Sequence, residues 1–431
     1  MQSRWFGFAI VGGNWNNGSN AGMFYWNFNN DSSNTNSNIG SRLLMVKNKN
    51  TFLSLALAKN KSRTDGVSRE TETPIDDHKK MKRYNHIFEK IVDEENIRNA
   101  IHKASKRKRK RASVIRILSN EDKYIKIIQD ILINRTYYPS PYIVQKIYDG
   151  SRKKERTIYK PRFFPDQVIH WALMLQLESI LGKRFYHYSC ASLKGKGSKL
   201  AFKGTKKALR SPRTKYCLKL DIQKYYPSVD REILKQKFRR VIKDEDTLWL
   251  LDTIIDGNET QGDGIPIGNY TSQWFANFYL DSLDKYIKED LKVKHYIRYM
   301  DDMVIFHSNK RELWKIKEMI ELYLQSEHLR LKRNWQMFVI EKRFLDFLGF
   351  RFYRDHITLR RCNFLRIKRR FKKIYKKREI SFKDACAVVS YNGMLKCSDC
   401  NTYLRKYLYP YISLKKCRRV ISNENRKQYI S

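Results

Sequence analysis

Acid is what this chain has least of. Its 431 residues carry 44 Asp and Glu against 88 Lys and Arg, a formal charge of +44. An excess of that size calls for a polyanion. Polyphosphate is the favoured partner, because each phosphate contacted releases condensed counterions. Long apolar runs are missing too: no stretch of 18 apolar residues and no lipidation motif occurs, which argues against a membrane partner. The apolar opening "WFGFAIVGG" is too short and too poor in flanking charge for a secretory signal, so a cytoplasmic protein is expected. Cysteine is sparse. Seven residues, odd in number and scattered, exclude a disulfide framework and suit reduced thiols. "CSDC" (Cys397 to Cys400) has the spacing of a zinc knuckle or redox pair, but no second pair matches it, so packed thiols on a helix are expected there. Core material is not scarce: 41% hydrophobic and 13% aromatic residues exclude a chain disordered throughout.

The length suits about three domains at roughly 150 residues each. Residues 1–50 hold a single acid, Asp31, and are rich in Asn, Gly and Ser; residues 51–80 form a polar linker. The next segment, 81–215, opens with "YNHIFEKIVDEENIRNAIHKAS", in which Ile87, Ile91, Ile97 and Ile101 recur at helical intervals with acids early and bases late. The run Lys106, Arg107, Lys108, Arg109, Lys110 and Arg111 follows. Beside the total charge it is expected to contact a nucleic-acid backbone, a solvated face being the alternative. Residues 216–355 mix strands and helices. "KYCLKLDIQKYYPSV" contains a strand, "GIPIGNYTSQWFANFYLDSLDKYIKEDL" a turn and a long helix, and "HYIRYMDDMVIFHS" two β-rich runs flanking an acidic pair, hence a hairpin. "FLDFLGFRFYRDHITL" supplies more strand, and residues 356–431 are basic and helical. The fold class is therefore α+β, a mixed core followed by a helical domain.

The chemistry lies in three acids. Asp301 and Asp302 sit between two hydrophobic strands, where like charges in a low-dielectric turn raise each other's pKa. An Asp-rich hairpin turn alone is common. A further acid, Asp221, ends another strand candidate. Because successive side chains alternate, Asp301 is expected to face Asp221 with Asp302 in support. Carboxylates on neighbouring strands can hold a pair of Mg²⁺ ions roughly 3.5 to 4 Å apart, one activating a 3′-hydroxyl and the other steadying pyrophosphate. That is nucleotidyl transfer.

With its motifs in this order, the chain from about 81 to 420 resembles a reverse transcriptase. Asp221 fits the family's first palm motif and Tyr299-Met300-Asp301-Asp302 its catalytic Y-x-D-D box. The resemblance implies an RNA-directed DNA polymerase with a right-hand fold of fingers, antiparallel palm sheet and helical thumb. It also implies two Mg²⁺ ions, a template RNA, a cDNA or RNA primer and dNTPs. Ile222, next to Asp221, joins the metal set on the same ground. Lys154 and Arg156 fall where the fingers send cations to the triphosphate, solvated loop charge being the alternative. Tyr226 falls where the family places an aromatic under the sugar ring, and core packing is its alternative. Phe347, Leu348 and Gly349 of "FLGF" resemble the segment that grips the primer end.

"GIPIGNYTSQWFAN" narrows the resemblance to the reverse transcriptases of diversity-generating retroelements. Many reverse transcriptases carry glutamine where Ile267 stands, between Pro266 and Gly268, and S-P where Ser272-Gln273 stands. "ENIRNAIHKASKRKRKR" and "SYNGMLKCSDCNTYLRKYL" also look like segments of that subfamily. The family's glutamine contacts the nucleotide and template pocket. A branched hydrocarbon there deletes donors and acceptors, so discrimination against mispairs weakens. Ile267, Gly268 and Gln273 are accordingly placed at the nucleotide, although Ile267 could simply pack the turn. The subfamily implies misincorporation opposite template adenine, a bacterial or phage gene, and a small basic accessory protein. Residues 12–42, with ten Asn between Asn14 and Asn38, resemble the adenine-rich repeat ending the variable, lectin-like targets of these elements. Residues 1–45 then read as a translated template repeat with Met81 as a functional start, or else as an Asn-rich leader. Too few partners are present to bury its Trp and Phe, so poor independent order is expected. The rival readings are a group II intron-type or other bacterial reverse transcriptase and, from another class, an inert RNA-binding scaffold, against which the presence of all three acids argues.

Overall fold

The computed structural model describes residues 83–149, 154–257, 264–377 and 379–430, preceded by the backbone of three short strands alone. The side chains of Asp149, Lys154 and residues 425–430 are outside that description. The chain divides into two units, Met1–Lys79 and Lys80–Ser431. In the first, β1 (Ala9–Val11) pairs antiparallel with β2 (Trp26–Asn27) and β3 (Leu43–Leu44). The expected poor order of the leader, the linker and Met81 lie outside the described residues.

The second unit begins with α1 (Phe88–Val92) and α2 (Glu94–Ser105) where the isoleucine spacing suggests one helix. The break is at Asp93: its ψ of 137° leaves the helix and its carboxylate accepts the Asn96 N–H, the behaviour of an N-cap. All four isoleucines are nevertheless buried. Lys106 to Arg111 form the turn into α3 (Ala112–Leu118), and α4 (Glu121–Ile133) follows. A two-stranded hairpin, β4 (Ile143–Asp149) with β5 (Lys154–Lys160), comes next. After it α5 (Val168–Arg184), apolar on most of its circumference, is buried against α1 and α2.

Helix α6 (Ser198–Arg210) leads to the central sheet. This contains β6 (Tyr216–Asp221), β7 (His295–Tyr299), β8 (Asp302–His307) and β9 (Gln336–Val339) in the order β7-β8-β6-β9, antiparallel throughout. Between β6 and β7 lie α7 (Arg231–Arg239), α8 (Glu245–Asp256), α9 (Tyr270–Tyr279) and α10 (Asp281–Lys285). After β8, α11 (Lys310–Ser326) packs against β6 and β8. A second antiparallel sheet of β10 (Leu345–Phe347), β11 (Phe350–Phe352) and β12 (Ile357–Leu359) buries Phe347, Phe350 and Phe352 beside Phe202, whose ring centroid is 4.5 Å from that of Phe350. The chain closes with α12 (Arg361–Tyr375), α13 (Phe382–Lys396), α14 (Asn401–Tyr407) and α15 (Leu414–Ile430). The α+β architecture, with hairpin, antiparallel palm sheet and helical C-terminal region, is that of a right-hand polymerase.

The "CSDC" segment is not helical. It is a turn between α13 and α14, with Cys397 exposed and Cys400 half-buried, where packed helical thiols were expected. Asp399 decides the conformation. Its carboxylate accepts the Ile357 N–H (2.7 Å) and its own N–H donates to the Ile357 carbonyl (2.8 Å), pinning the turn to β12. All seven cysteines are free, and among the described residues no helix is long and apolar enough to cross a membrane.

Candidate active site at the palm hairpin

Strand β6 sends Leu218 and Leu220 into the core, leaving Lys219 and Asp221 half-buried. The register sets Asp221 directly opposite Asp302 on β8. Opposed residues of an antiparallel pair share a face, with Cα atoms about 4.5 to 5.5 Å apart. Asp302, expected only in support, thus shares the face of Asp221. Asp301 lies with Met300 in the two-residue turn between Tyr299 and Asp302. It too feels the charge of Asp221. Burial first, and then the Asp221 and Asp302 charges, push its carboxyl up to about 6. Burial also raises Asp302, with Lys219, 3.8 Å away, pulling it back. The Lys332 ammonium pairs with the Asp221 carboxylate, and the Lys332 main-chain N–H donates to the Asp221 carbonyl (2.8 Å).

Among the described residues no three His, Cys, Asp or Glu side chains close a metal site by themselves. A hard divalent cation of the Mg²⁺ class does not require one, since it takes one or two carboxylates and completes its shell with water and substrate phosphates. Adjacent carboxylates raised first by burial and then by the Asp221 charge fit such an ion.

The raised Asp301 carboxyl gives a signed expectation. Its folded value, about 6, exceeds the ordinary 3.8, so the stability it contributes is present below pH 4 and lost as pH rises through 6. The melting temperature of the cation-free protein is expected to fall between pH 4 and 6.5 relative to Asp301→Asn, which lacks this titration. Parallel melting curves for the two proteins would contradict the assignment.

Beyond Asp221 the chain passes through Tyr225, fully buried with its hydroxyl donating to the Ala276 carbonyl (2.5 Å), to the half-buried Tyr226. The Asp301 charge, after burial, raises the Tyr226 phenol, so this ring lies in reach of the acidic turn. The turn at 264–268 is wedged between Tyr226 and the β4–β5 hairpin. On one side Ile265 N donates to the Tyr226 carbonyl (3.0 Å), and a Cβ on Gly264 would stand 2.3 Å from that oxygen. On the other the Ile267 carbonyl accepts the Tyr159 N–H (2.8 Å), and a Cβ on Gly268, whose φ is +126°, would stand 2.6 Å from the Tyr159 carbonyl oxygen. Ile267 is half-buried and Gly268 exposed. Gln273 is half-buried on α9, and its carbonyl accepts from Asn277 (3.1 Å).

The structure thus brings Asp221, Asp301, Asp302, Tyr226, Ile267 and Gly268 into one connected set. Others stand apart. Arg156 is exposed on β5, opposite Ile147, with no ion pair among the described residues, and the Lys154 side chain lies outside them. Lys106, Arg107, Arg109, Lys110 and Arg111 are exposed, while Lys108 is half-buried, bonded to Gln167 and 5.8 Å from the Phe163 ring centroid. The Ile222 side chain is fully buried, which leaves only its main chain to face an ion. Phe347 is likewise buried, so what "FLGF" can offer a primer is the turn itself, with Leu348 and Gly349 at φ 52° and 85°.

Sequence reading missed Lys332 and Arg298. The second had a signal: an arginine inside an apolar strand requires a buried acid, because an unpaired buried charge is prohibitive. That acid is Asp284.

The family described as reverse transcriptase (RNA-dependent DNA polymerase) matches residues 101–352. Two curated relatives, both the group II intron-encoded protein LtrA of Lactococcus lactis subsp. cremoris and one of them from strain MG1363, are each 29% identical over 182 residues, 41% of this chain and 30% of theirs. The aligned region thus spans less than a third of those relatives. Among solved structures, apo telomerase from Candida tropicalis, truncated from its C-terminal domain, aligns at 15% identity with a TM-score of 0.38, covering 52% of this chain and 56% of that one.

Proposed function

Since this chain belongs to the reverse transcriptase (RNA-dependent DNA polymerase) family, we propose that it extends a primer on an RNA template at the Asp221, Asp301 and Asp302 carboxylates. The observation that carries the reading is the β6–β8 register, which sets Asp221 against Asp302 with Asp301 in the adjoining turn. These three, with the Ile222 main chain, would hold two divalent cations, Mg²⁺ in this reading, which activate the primer 3′-hydroxyl and stabilise the leaving pyrophosphate. The remaining work belongs to the chain itself. The Tyr226 ring limits the room beneath the incoming sugar, and Gly268 lets main chain come close to the nucleotide. Lys154 and Arg156 meet the triphosphate from the fingers (81–215). Lys106 to Arg111 neutralise template phosphates, the Leu348–Gly349 turn of the palm (216–355) supports the primer end, and the basic thumb (356–431) lies along the duplex. Binding to primed RNA should fall steeply with salt, as expected where many phosphates are contacted. Primer extension on RNA by the full chain tests the reading; tight binding without extension under any divalent ion would refute it.

Within the family we favour the polymerase of a diversity-generating retroelement, copying an adenine-rich template repeat with errors at adenine and working with a small basic accessory protein. Ile267 supports this, because a half-buried hydrocarbon occupies the turn whose main chain bonds to Tyr226 and Tyr159, where an amide would offer donors and acceptors. Ile267→Gln should lower misincorporation opposite template adenine by about tenfold, roughly 1.4 kcal/mol of restored discrimination. An unchanged error spectrum would remove the residue from the pocket. The intron-type reading is favoured instead by the two group II intron-encoded relatives, and a wild-type chain copying adenine as faithfully as other bases would select it.

A further inference from the structure

Arg298, in the middle of β7, is fully buried. A guanidinium carries five N–H donors and stays charged. Here all five are used. Nε donates to Asp284 Oδ1 (2.7 Å), and Nη2 to Asp284 Oδ2 (2.5 Å) and Ser189 Oγ (2.8 Å). Nη1 donates to Asn277 Oδ1 (3.2 Å) and to the Met300 carbonyl (3.1 Å). Asp284 is itself fully buried and also accepts the Tyr296 hydroxyl (2.7 Å). The Arg298 main chain is fixed as well, donating to the Tyr188 carbonyl (3.0 Å) and accepting from Cys190 N (2.9 Å).

Stability alone is a poor reason for such a group, because apolar residues of similar volume often replace buried ion pairs without loss. Its distinctive bond is the one to Met300. Four donors grip Ser189, Asn277 on α9 and Asp284 on α10, all fully buried. The fifth reaches the first residue of the acidic turn, whose φ of +58° ordinarily calls for glycine. A side chain in that conformation persists where its surroundings over-determine it. Asn277 is itself held in place, its Nδ2 donating to the Gln273 carbonyl one turn earlier on the same helix.

We propose that Arg298 is a positioning residue: its guanidinium, locked onto Asp284, fixes the Met300 carbonyl and so aims Asp301 and Asp302 at the point where cation and nucleotide meet. The inference rests on the reading of those acids as the reaction centre.

Two variants of the full chain test it. Arg298→Lys keeps the charge but cannot serve five acceptors, whereas Arg298→Met/Asp284→Leu/Tyr296→Phe leaves no orphaned ion and should fold. Next-nucleotide binding to a dideoxy-terminated primer on RNA is measured against Mg²⁺ or Mn²⁺ concentration, with kcat, KM and cation-free melting temperature alongside. The triple variant is expected to melt within a few degrees of the native chain and to bind primed RNA normally. The cation midpoint should rise, and kcat should fall, by roughly 10- to 100-fold, the scale for groups that orient metal ligands, with KM little changed. A merely structural role would shift melting and RNA affinity and leave the cation midpoint in place. A native midpoint in either folded variant overturns the inference, and so does failure of both to fold, since positioning alone lets the apolar triple variant fold. Asp301→Asn separates the two claims. If it also keeps the native cation dependence, the reading of the acids fails; if it abolishes that dependence while the Arg298 variants keep it, only the positioning inference fails.

Discussion

Asp301→Asn is expected to abolish primer extension on RNA while making the cation-free protein more stable. On the proposed reading the carboxylate is lost from the point where the ions would meet the primer end, and cation stabilisation of the transition state is worth several kcal/mol. At about 1.36 kcal/mol per factor of ten, extension falls by roughly 10³-fold or more. Affinity for primed RNA is retained, because it comes from the +44 charge of the whole chain. The stability arm follows from the same electrostatics. The native fold holds the Asp301 carboxyl near 6 against an ordinary 3.8. Ionising it at pH 8 therefore costs at most about 3 kcal/mol at roughly 1.4 kcal/mol per pKa unit. Asparagine removes the charge but keeps a buried polar group, so a gain on the order of 1 to 2 kcal/mol is expected, or a few degrees of melting temperature. Thermal denaturation at pH 8 and single-turnover extension check both arms. Residual extension near the wild-type rate would contradict the first, and a lower melting temperature the second.

Gly268→Ala is expected to be nearly as damaging, for a steric reason. At φ +126° a side chain is strained by about 1 to 3 kcal/mol, and the new Cβ would also stand 2.6 Å from the Tyr159 carbonyl oxygen, a main-chain atom that cannot swing away. The nearest relief is to push β5 off the turn and open the nucleotide pocket. Incorporation efficiency (kcat/KM for dNTP) should fall by roughly 30- to 1000-fold, equivalent to about 2 to 4 kcal/mol, with RNA affinity unchanged. Gly264→Ala should act alike from the other side, where Cβ would meet the Tyr226 carbonyl at 2.3 Å. Gly393→Ala is the control: it lies in α13 with nothing within 4 Å of a Cβ, so it should be neutral or stabilise by up to about 1 kcal/mol. Native kinetics in Gly268→Ala would mean that the turn is not wedged between Tyr226 and β5.

Much of this site could be read from residues alone. The hairpin at 295–307 was legible because two alternating β-rich runs flank an acidic pair, and the four buried isoleucines because their spacing follows one helix face. Other features were hidden because they are set by tertiary structure. The helix break at Asp93 leaves the isoleucine periodicity almost undisturbed, and only the capping bond to Asn96 reveals it. The "CSDC" turn is shaped by Ile357, some 40 residues earlier. Alternation alone could not place Asp302, because the two-residue turn, with Met300 at positive φ, decides which residue lies opposite Asp221. The partners of Arg298 come from α9, α10 and the segment at Ser189, which no local pattern connects. Strands and helices follow from local periodicity, whereas the grip on the acidic turn follows from long-range pairing.

The most direct measurement is anomalous diffraction from Mn²⁺ in crystals of the full chain with a dideoxy-terminated primer, an RNA template and the next dNTP. Two peaks about 4 Å apart, bridged by Asp221 and Asp301 with Asp302 beside them, are the expected result. A bound nucleotide with no Mn²⁺ at these carboxylates, or with its ions held by other residues, would contradict the account.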